Sequence, residues 1–391
     1  MEEVIIVSNP GSASRKYAVF GDGEILASLH FEHSNGAIMC GLSHDGIIGT
    51  IEINITKLSE AATQIKQILE NESILSENVK VRAIGLRIVS PGSYFLSDRL
   101  IDDELTENLN KIKPRAPLHI SSVLSELEAL RNEFPDVPIA GISDSAFHAT
   151  KPDFAWNYGI SLHDADNLDI KRFGYHGLSV SSIVHQLTAE HKLPPKLIVC
   201  HIGGGVSVSA LKHGKSIDNT MGYSPLEGAI MATRSGSIDF TAVRALRDSL
   251  GLDDEGIEVY LNHHSGLLGL GGASSVLDLL KARESGDEIA SLALKTYTYN
   301  LTKLVGQMAA SLNGVDMLVF TGTIGERSSS IRNSIVENLG YLDLQLNQQE
   351  NENCTLPQEL TRINTLVRSK PIYVIPSNEN FEIAKNTQAL I

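Results

Sequence analysis

The chain has 391 residues, 42% of them hydrophobic, which is enough to fill the cores of two domains of ordinary size and excludes wholesale disorder. Its 47 acidic against 32 basic residues give a formal net charge of −15, and the Lys and Arg are scattered, which argues against a nucleic-acid footprint. Any anionic ligand must be held by a few placed cations.

The start, Met1-Glu2-Glu3, is acidic where a signal peptide is basic, and no apolar run reaches the eighteen or so residues of a membrane span. Cys40, Cys200 and Cys354 are widely separated and form neither a zinc spacing nor a disulfide framework. A cytoplasmic protein with neither nucleic acid nor membrane as partner is expected. A strand at 4–8 enters the turn Asn9-Pro10-Gly11-Ser12-Ala13-Ser14 and returns at 17–20. Leu58, Ala61, Ile65 and Ile68 predict an amphipathic helix over 57–71. A strand at 79–89 is stopped by Ser90-Pro91-Gly92, just beyond Arg87. A helix at 121–134 precedes a buried strand at 139–142 that ends at Ser143-Asp144-Ser145. The stretch 151–172 lacks periodicity, holds the only tryptophan, Trp156, and reads as the connector between domains.

The strand at 197–200 then runs through His201 and Ile202 into Gly203-Gly204-Gly205 and emerges as a second alternating strand, Val206-Ser207-Val208-Ser209. Such a turn lets backbone N–H groups close on a phosphate without interference from a Cβ. Because the design repeats that of the first twenty residues, the chain reads as one fold used twice. Helices follow at 236–250 and 289–312, the latter apolar on more than one face, as deep burial or a dimer interface requires. A strand at 317–320 leads into Thr321-Gly322-Thr323-Ile324-Gly325-Glu326-Arg327, with a helix from about Ser329. A strand at 372–375, the turn Pro376-Ser377-Asn378-Glu379 and a helix at 381–390 close the chain.

Phosphoryl transfer needs backbone cradles, cations on the equatorial oxygens, a metal ion and an aligned acceptor. Arg87 at a strand end, and Arg234 among small and hydroxyl residues, are candidate cations; a surface ion pair is the ordinary alternative for any arginine. His176 lies between Gly174 and Gly177, where backbone can approach a ligand, although a satisfied core histidine fits the same residue type. Asp144 and Glu379 stand where carboxylates hold Mg²⁺ or cap a helix.

Read together, these segments resemble the acetate kinase family, within the superfamily of actin, sugar kinases and heat-shock chaperone ATPases. The likeness covers nearly the whole chain. It runs through Asn9-Pro10-Gly11-Ser12-Ala13-Ser14-Arg15-Lys16, Arg87-Ile88-Val89, Ala116-Pro117-Leu118-His119, Asp144-Ser145-Ala146-Phe147-His148 and Arg172-Phe173-Gly174-Tyr175-His176-Gly177. It continues through His201-Ile202-Gly203-Gly204-Gly205, Met221-Gly222-Tyr223-Ser224-Pro225-Leu226-Glu227-Gly228, Thr233-Arg234-Ser235-Gly236, Ser265-Gly266-Leu267-Leu268-Gly269-Leu270 and Pro376-Ser377-Asn378-Glu379.

The resemblance implies an α/β, two-domain duplicated actin-like ATPase (ribonuclease H-like) fold with mixed sheets flanked by helices. The first domain would span 1–150, closed by a C-terminal helix at 380–391, and the second, at 151–379, would bind nucleotide and form a homodimer. Position by position, Arg87 and Arg234 would hold the acyl carboxylate and the transferring phosphoryl group, His176 would donate to the transition state, and Asp144 would be the acidic catalytic residue. Asn9 and Glu379 would hold Mg²⁺ or Mn²⁺. Lys16, His201, Gly203, Gly204 and Gly205 would contact the phosphates of ATP, with Ser12 and Ser14 in the same cradle and Gly322, Thr323, Ile324 and Gly325 at the adenosine. Val89, Leu118, His119, Tyr175 and Pro225 would bind the acceptor, the apolar ones around its tail.

Several positions depart from the family's pattern. Leu86 replaces a histidine, Ser90-Pro91-Gly92 replaces His-Gly-Gly, and Gly204 replaces an asparagine. Val276-Leu277-Asp278 stands where an Asp-x-Arg is usual, and Thr323 where the adenosine pocket has glycine. The expectation is therefore a Mg²⁺-dependent acetate kinase making acyl phosphate from ATP. The alternatives are pyrophosphate or another non-adenine donor, propionate or butyrate as acceptor, and a nucleotide-responsive binding module without turnover.

Overall fold

The computed structural model describes residues 2–11, 14–34 and 36–391, with the side chains of Arg115, Leu118 and His119 outside that description. The chain divides into two compact units, Met1–Ala146 with Asn378–Ile391, and Phe147–Ser377. Among the described residues, no helix is long and apolar enough to cross a membrane.

In the first unit, strands β1 (Glu2–Pro10), β2 (Ser14–Gly21), β3 (Glu24–Ser34), β4 (Ala37–His44), β5 (Ile47–Ile53), β6 (Val79–Ile88), β7 (Arg99–Leu100) and β8 (Ile139–Ser143) form one sheet. Its order is β5-β4-β3-β2-β1-β6-β8-β7. Strands β1 to β5 pair antiparallel in succession, β1, β6 and β8 pair parallel, and β7 is antiparallel to β8. Alternation along the meander sends Leu29, Phe31, Ile38, Cys40 and Leu42 into the core, where Ala61, Ile65 and Leu69 meet them. The helix expected over 57–71 begins as a 3₁₀ helix, Leu58–Gln64, before the α-helix Ile65–Asn71. Ala62, Ile65 and Ile68, all buried, are three apart, which suits the tighter winding. The terminal helix Glu379–Leu390 packs on β1, β6 and β8 so closely that a Cβ at Gly85 would overlap Thr387 and Ile383.

The second unit repeats this plan. Strands β9 (Lys196–Ile202), β10 (Val206–Lys212), β11 (Lys215–Asn219), β12 (Met317–Thr321), β13 (Thr361–Arg362) and β14 (Ile372–Val374) are ordered β11-β10-β9-β12-β14-β13. The antiparallel β11-β10-β9 followed by parallel β12 and β14 matches β3-β2-β1-β6-β8 strand for strand. The duplication read from the two glycine turns is therefore a duplication of topology. Helix Glu288–Leu312 starts where Asp287 accepts from Ile289 N and Ala290 N, and ends at left-handed Asn313. It buries Ala293, Leu294, Tyr297, Leu301, Val305 and Met308, at helical spacing, while Ile289, Leu292 and Tyr299 face outward at 65%, 66% and 67% exposure.

Other expected elements differ too, the helix placed at 121–134 starting four residues earlier at Pro117. The helix placed at 236–250 begins at Phe240, because Gly236 has φ +72° and Asp239 caps Thr241 N and Ala242 N. The connector 151–172 contains the short helix Leu162–Leu168. Helix formation after β12 begins at Gly322–Arg327, one helix before Ser329–Val336.

Candidate active site

In the first unit, Ser8 of β1 is registered with Leu86 of β6, and Arg87 with Ile142 of β8. Three parallel strands thus end level, and Asn9, Arg87 and Asp144 emerge together at their carboxyl edge, where α/β sheets place ligands. Arg87 Nη2 donates to Asp144 Oδ2 at 3.0 Å and Nη1 to Asn9 Oδ1 at 3.1 Å, with Glu379 Oε2 at 3.7 Å from Nη1. Asn9 Nδ2 donates to Glu379 Oε2 at 3.0 Å and to Asn380 Oδ1 at 3.2 Å. Glu379 opens the terminal helix, whose start is capped by Asn378 accepting from Phe381 N. Burial alone would lower the Arg87 pKa, but the charges of Asp144 and Glu379 outweigh it and raise the pKa above the usual guanidinium value. Arg87 is a permanent, oriented cation.

Asn9 and Glu379 bring an amide and a carboxylate within hydrogen-bond distance, with Asp144 on the other side of Arg87. Among the described residues, no group of three or more His, Cys, Asp or Glu is arranged to hold a metal. Few protein oxygens of hard character suit Mg²⁺, which keeps most of its water and takes phosphate oxygens.

Ser8, Gly11 and Arg15 are tied to a buried carboxylate and its neighbours on the helix Pro117–Glu133. Buried Glu126 Oε1 accepts from Ser8 Oγ at 2.7 Å and Tyr17 OH at 2.8 Å, and Oε2 lies 3.7 Å from Arg15 Nε. Arg15 donates to Gly11 O and, at 2.8 Å, to Ser122 Oγ. Burial raises the Glu126 pKa against the opposing hydrogen bonds from Ser8 and Tyr17 and the charge of Arg15. Exposed Lys16 is paired directly across from Asn9 on β2, so both side chains share one face of the sheet, and half-buried Ser14 opens that strand. Val89, half-buried, follows β6. Ser12, and the side chains of Leu118 and His119, lie outside the described residues; positions 118 and 119 fall in helix Pro117–Glu133.

In the second unit, β9 passes through Gly203-Gly204-Gly205 into β10, with Gly203 N donating to Gly205 O at 3.0 Å. A Cβ at Gly205 would lie 3.1 Å from His176 Nε2 and 3.6 Å from Arg234 Nη1. Imidazole and guanidinium therefore converge on bare backbone. His176 takes the left-handed conformation, φ 60° and ψ 26°, at the start of helix Gly177–Ala189. Its Nδ1 meets Ser207 Oγ at 3.0 Å, and its ring stacks on His201 with centroids 4.1 Å apart. His201 Nδ1 meets Ser179 Oγ at 2.8 Å. Arg234 Nη1 reaches Pro225 O at 3.4 Å, and Ala232 N donates to Gly204 O at 3.3 Å, tying the arginine's loop to the glycine turn.

The Gly322 segment borders the same turn: a Cβ at Gly203 would stand 3.9 Å from Thr323 N. Gly322, at φ +80°, is pressed against the Ile202 backbone, and its N–H donates to Glu326 Oε1 at 2.9 Å. Thr323 is exposed, Ile324 half-buried and Gly325 buried. Tyr175 is buried, with its hydroxyl donating to Tyr223 O at 2.7 Å. His148 is a structural histidine, its ring nitrogens against Ser216 Oγ and Tyr175 O.

The expected residues therefore fall into two groups: Asn9, Arg87, Asp144 and Glu379 in the first unit, and His176, His201, the glycine turn, Arg234, Pro225 and residues 322–325 in the second. Asn380, Ser179, Ser207, Arg15 and Glu126, which hold these groups, were not singled out by the sequence. Only Ser207, alternating with Val206 and Val208, and Ser179, one turn into the helix after His176, carried a local signal.

The family model of the acetokinase family matches residues 4–385. The chain is 34% identical to an acetate kinase of Natranaerobius thermophilus, over 99% of each chain. Among solved structures it is similar to a propionate kinase from Francisella tularensis subsp. tularensis, with a TM-score of 0.89, 31% identity and 100% of both chains covered. It is also similar to Porphyromonas gingivalis acetate kinase, with a TM-score of 0.85, 28% identity and 99% of each chain covered. With a family model spanning nearly all of its length, a duplicated mixed-sheet fold and full-length relatives, the chain belongs to the acetokinase family, phosphotransferases with a carboxylate acceptor.

Proposed function

We propose that the protein catalyses reversible, Mg²⁺-dependent transfer of the γ-phosphoryl group of ATP to acetate, giving acetyl phosphate and ADP. The acceptor carboxylate is ionised at neutral pH, so one of its oxygens attacks phosphorus without a general base while the bond to the ADP oxygen breaks. The observation that carries the reading is the convergence of His176 Nε2 and Arg234 Nη1 on Gly205, where donors can meet developing charge on a phosphoryl oxygen. Arg87, kept charged by Asp144 and Glu379, suits the acceptor carboxylate or the transferring group. Asn9 and Glu379 would hold Mg²⁺, which supplies charge neutralisation on the phosphates. Tyr175 and Pro225 would supply the second unit's apolar surface for a short tail, and Val89 the first unit's. The exposed Ile289, Leu292 and Tyr299 suit a homodimer contact, testable by sedimentation.

Hydroxamate trapping of acyl phosphate with acetate, propionate and butyrate tests the reaction; no product with any donor overturns it. Pyrophosphate belongs in the same assay. Asp278, exposed in the first turn of helix Val276–Glu284, places negative charge where the family's pattern has a cation, and exposed Thr323 adds bulk. Normal saturation by ATP with no turnover of pyrophosphate removes that second reading.

A further inference from the structure

Outside the groups given a chemical role, Arg172, Tyr158 and Glu227 form a compact polar knot in the second unit. Arg172 Nη1 donates to Glu227 Oε1 and the Tyr158 hydroxyl donates to Oε2, so each oxygen of one carboxylate is held by a different donor. The Tyr158 oxygen accepts from Tyr223 N at 2.8 Å, and Arg172 Nη2 reaches Asn219 O at 3.4 Å. Alongside, Phe173 N donates to Gly222 O at 3.0 Å. The carboxylate lies so tightly over Gly222 that a Cβ there would overlap it. Segment 172–176, which ends in His176, and segment 219–228, which holds Pro225, are thereby pinned together. Behind the knot, buried Lys151 donates to Arg172 O and stands 4.3 Å above the ring of Trp156. Arg172 N donates to Trp156 O at 2.8 Å.

We propose that Glu227 is a positioning residue for the acceptor side of the reaction: gripped by Arg172 and Tyr158, its carboxylate sets the spacing between the segments bearing His176 and Pro225. The inference rests on the proposed function, which places Tyr175 and Pro225 at the acyl tail and His176 at the phosphoryl group. Charge is essential to the role. An amide at this position turns an NH₂ toward one of two donors, and the Tyr158 oxygen is already engaged by Tyr223 N. It also leaves the Arg172 guanidinium without its ion-pair partner.

The test compares Glu227→Gln, Glu227→Asp and Tyr158→Phe in the full chain, varying acceptor and donor separately in the hydroxamate assay. Acrylamide quenching of Trp156, the only tryptophan, gives a readout independent of turnover. Glu227→Gln should raise the acceptor KM about tenfold and lower kcat, with the donor KM changed by less than about twofold, because a misplaced wall and donor act on the acceptor. Glu227→Asp should recover part of this, and Trp156 in Glu227→Gln should become more quenchable while far-UV circular dichroism is unchanged. Unchanged acceptor KM and kcat, or equal rises in both KM values, overturn the inference. If Glu227→Gln does not fold, Tyr158→Phe, which keeps the ion pair, must still show the acceptor-selective change. An inactive wild type overturns the proposed function instead, and unaltered Trp156 quenching in Glu227→Gln then overturns the positioning role as well.

Discussion

Gly205 and His176 approach so closely that one added carbon on the glycine would stand 3.1 Å from the imidazole Nε2. Gly204, its neighbour, has nothing within 4 Å of the same hypothetical carbon. Gly204→Ala should therefore leave His176, Arg234 and the melting temperature undisturbed, whereas Gly205→Ala should lower kcat about tenfold or more, and further than Gly204→Ala, by displacing His176 and Arg234. Steady-state kinetics on the two variants, with matched melting curves, check the contrast.

Arg234 Nη1 reaches Pro225 O at 3.4 Å and the Met231 sulfur at 3.7 Å, beside the glycine turn. Arg234→Ala is expected to lower kcat by about 10²–10³, the range for deleting one preorganised transition-state donor. Turnover that stays at the wild-type level removes Arg234 from the chemistry.

Asp144 is 1% exposed and is ion-paired to Arg87. Asp144→Ala leaves a buried guanidinium with less compensation and should cost about 3–5 kcal/mol in urea unfolding, in addition to activity. Asp144→Asn, able to accept from Arg87 Nη2 but uncharged, should cost less. Equal stability of both variants and wild type would show that the pair contributes nothing to the fold.

Lys151, 4% exposed, has its pKa pushed down to about 7 from 10.5, by burial first and by Arg172, against the attraction of Asp218 and Glu227. Between those two values the unfolded chain binds a proton that the folded chain lacks. Native stability should accordingly rise as pH climbs from about 7 toward 10, by at most about 1.4 kcal/mol per pH unit from this group. Lys151→Met should flatten that slope, read as urea midpoints followed by Trp156 fluorescence at pH 7, 8 and 9.

The two strand–turn–strand copies were legible because both signals, alternation and a turn rich in glycine or proline, are local in the chain. Asp144 and Arg87 were legible as strand-end residues, but their pairing depends on the parallel register of β6 with β8, which no local pattern encodes. The helix Leu162–Leu168 escaped because seven residues hold too few apolar positions for a period to show. Helix Gly322–Arg327 escaped for a different reason: its two glycines read as turn residues, and its first N–H is satisfied by Glu326 from four residues ahead. His176 was found by its flanking glycines, while its left-handed backbone and its stacking on His201 follow from tertiary packing.

The first unit takes its last helix from the far end of the chain, 231 residues of the second unit intervening between Ala146 and Asn378. Because a ribosome delivers residues in order, β1, β6 and β8 emerge long before Glu379 can join Arg87 and Asn9. During that interval Gly85 and its neighbours present an uncovered apolar face to the nascent-chain environment. Maturation of the arginine's surroundings thus waits until the segment beginning at Asn378 has been synthesised, and a product stopped near residue 377 would carry both sheets yet lack the segment that completes them.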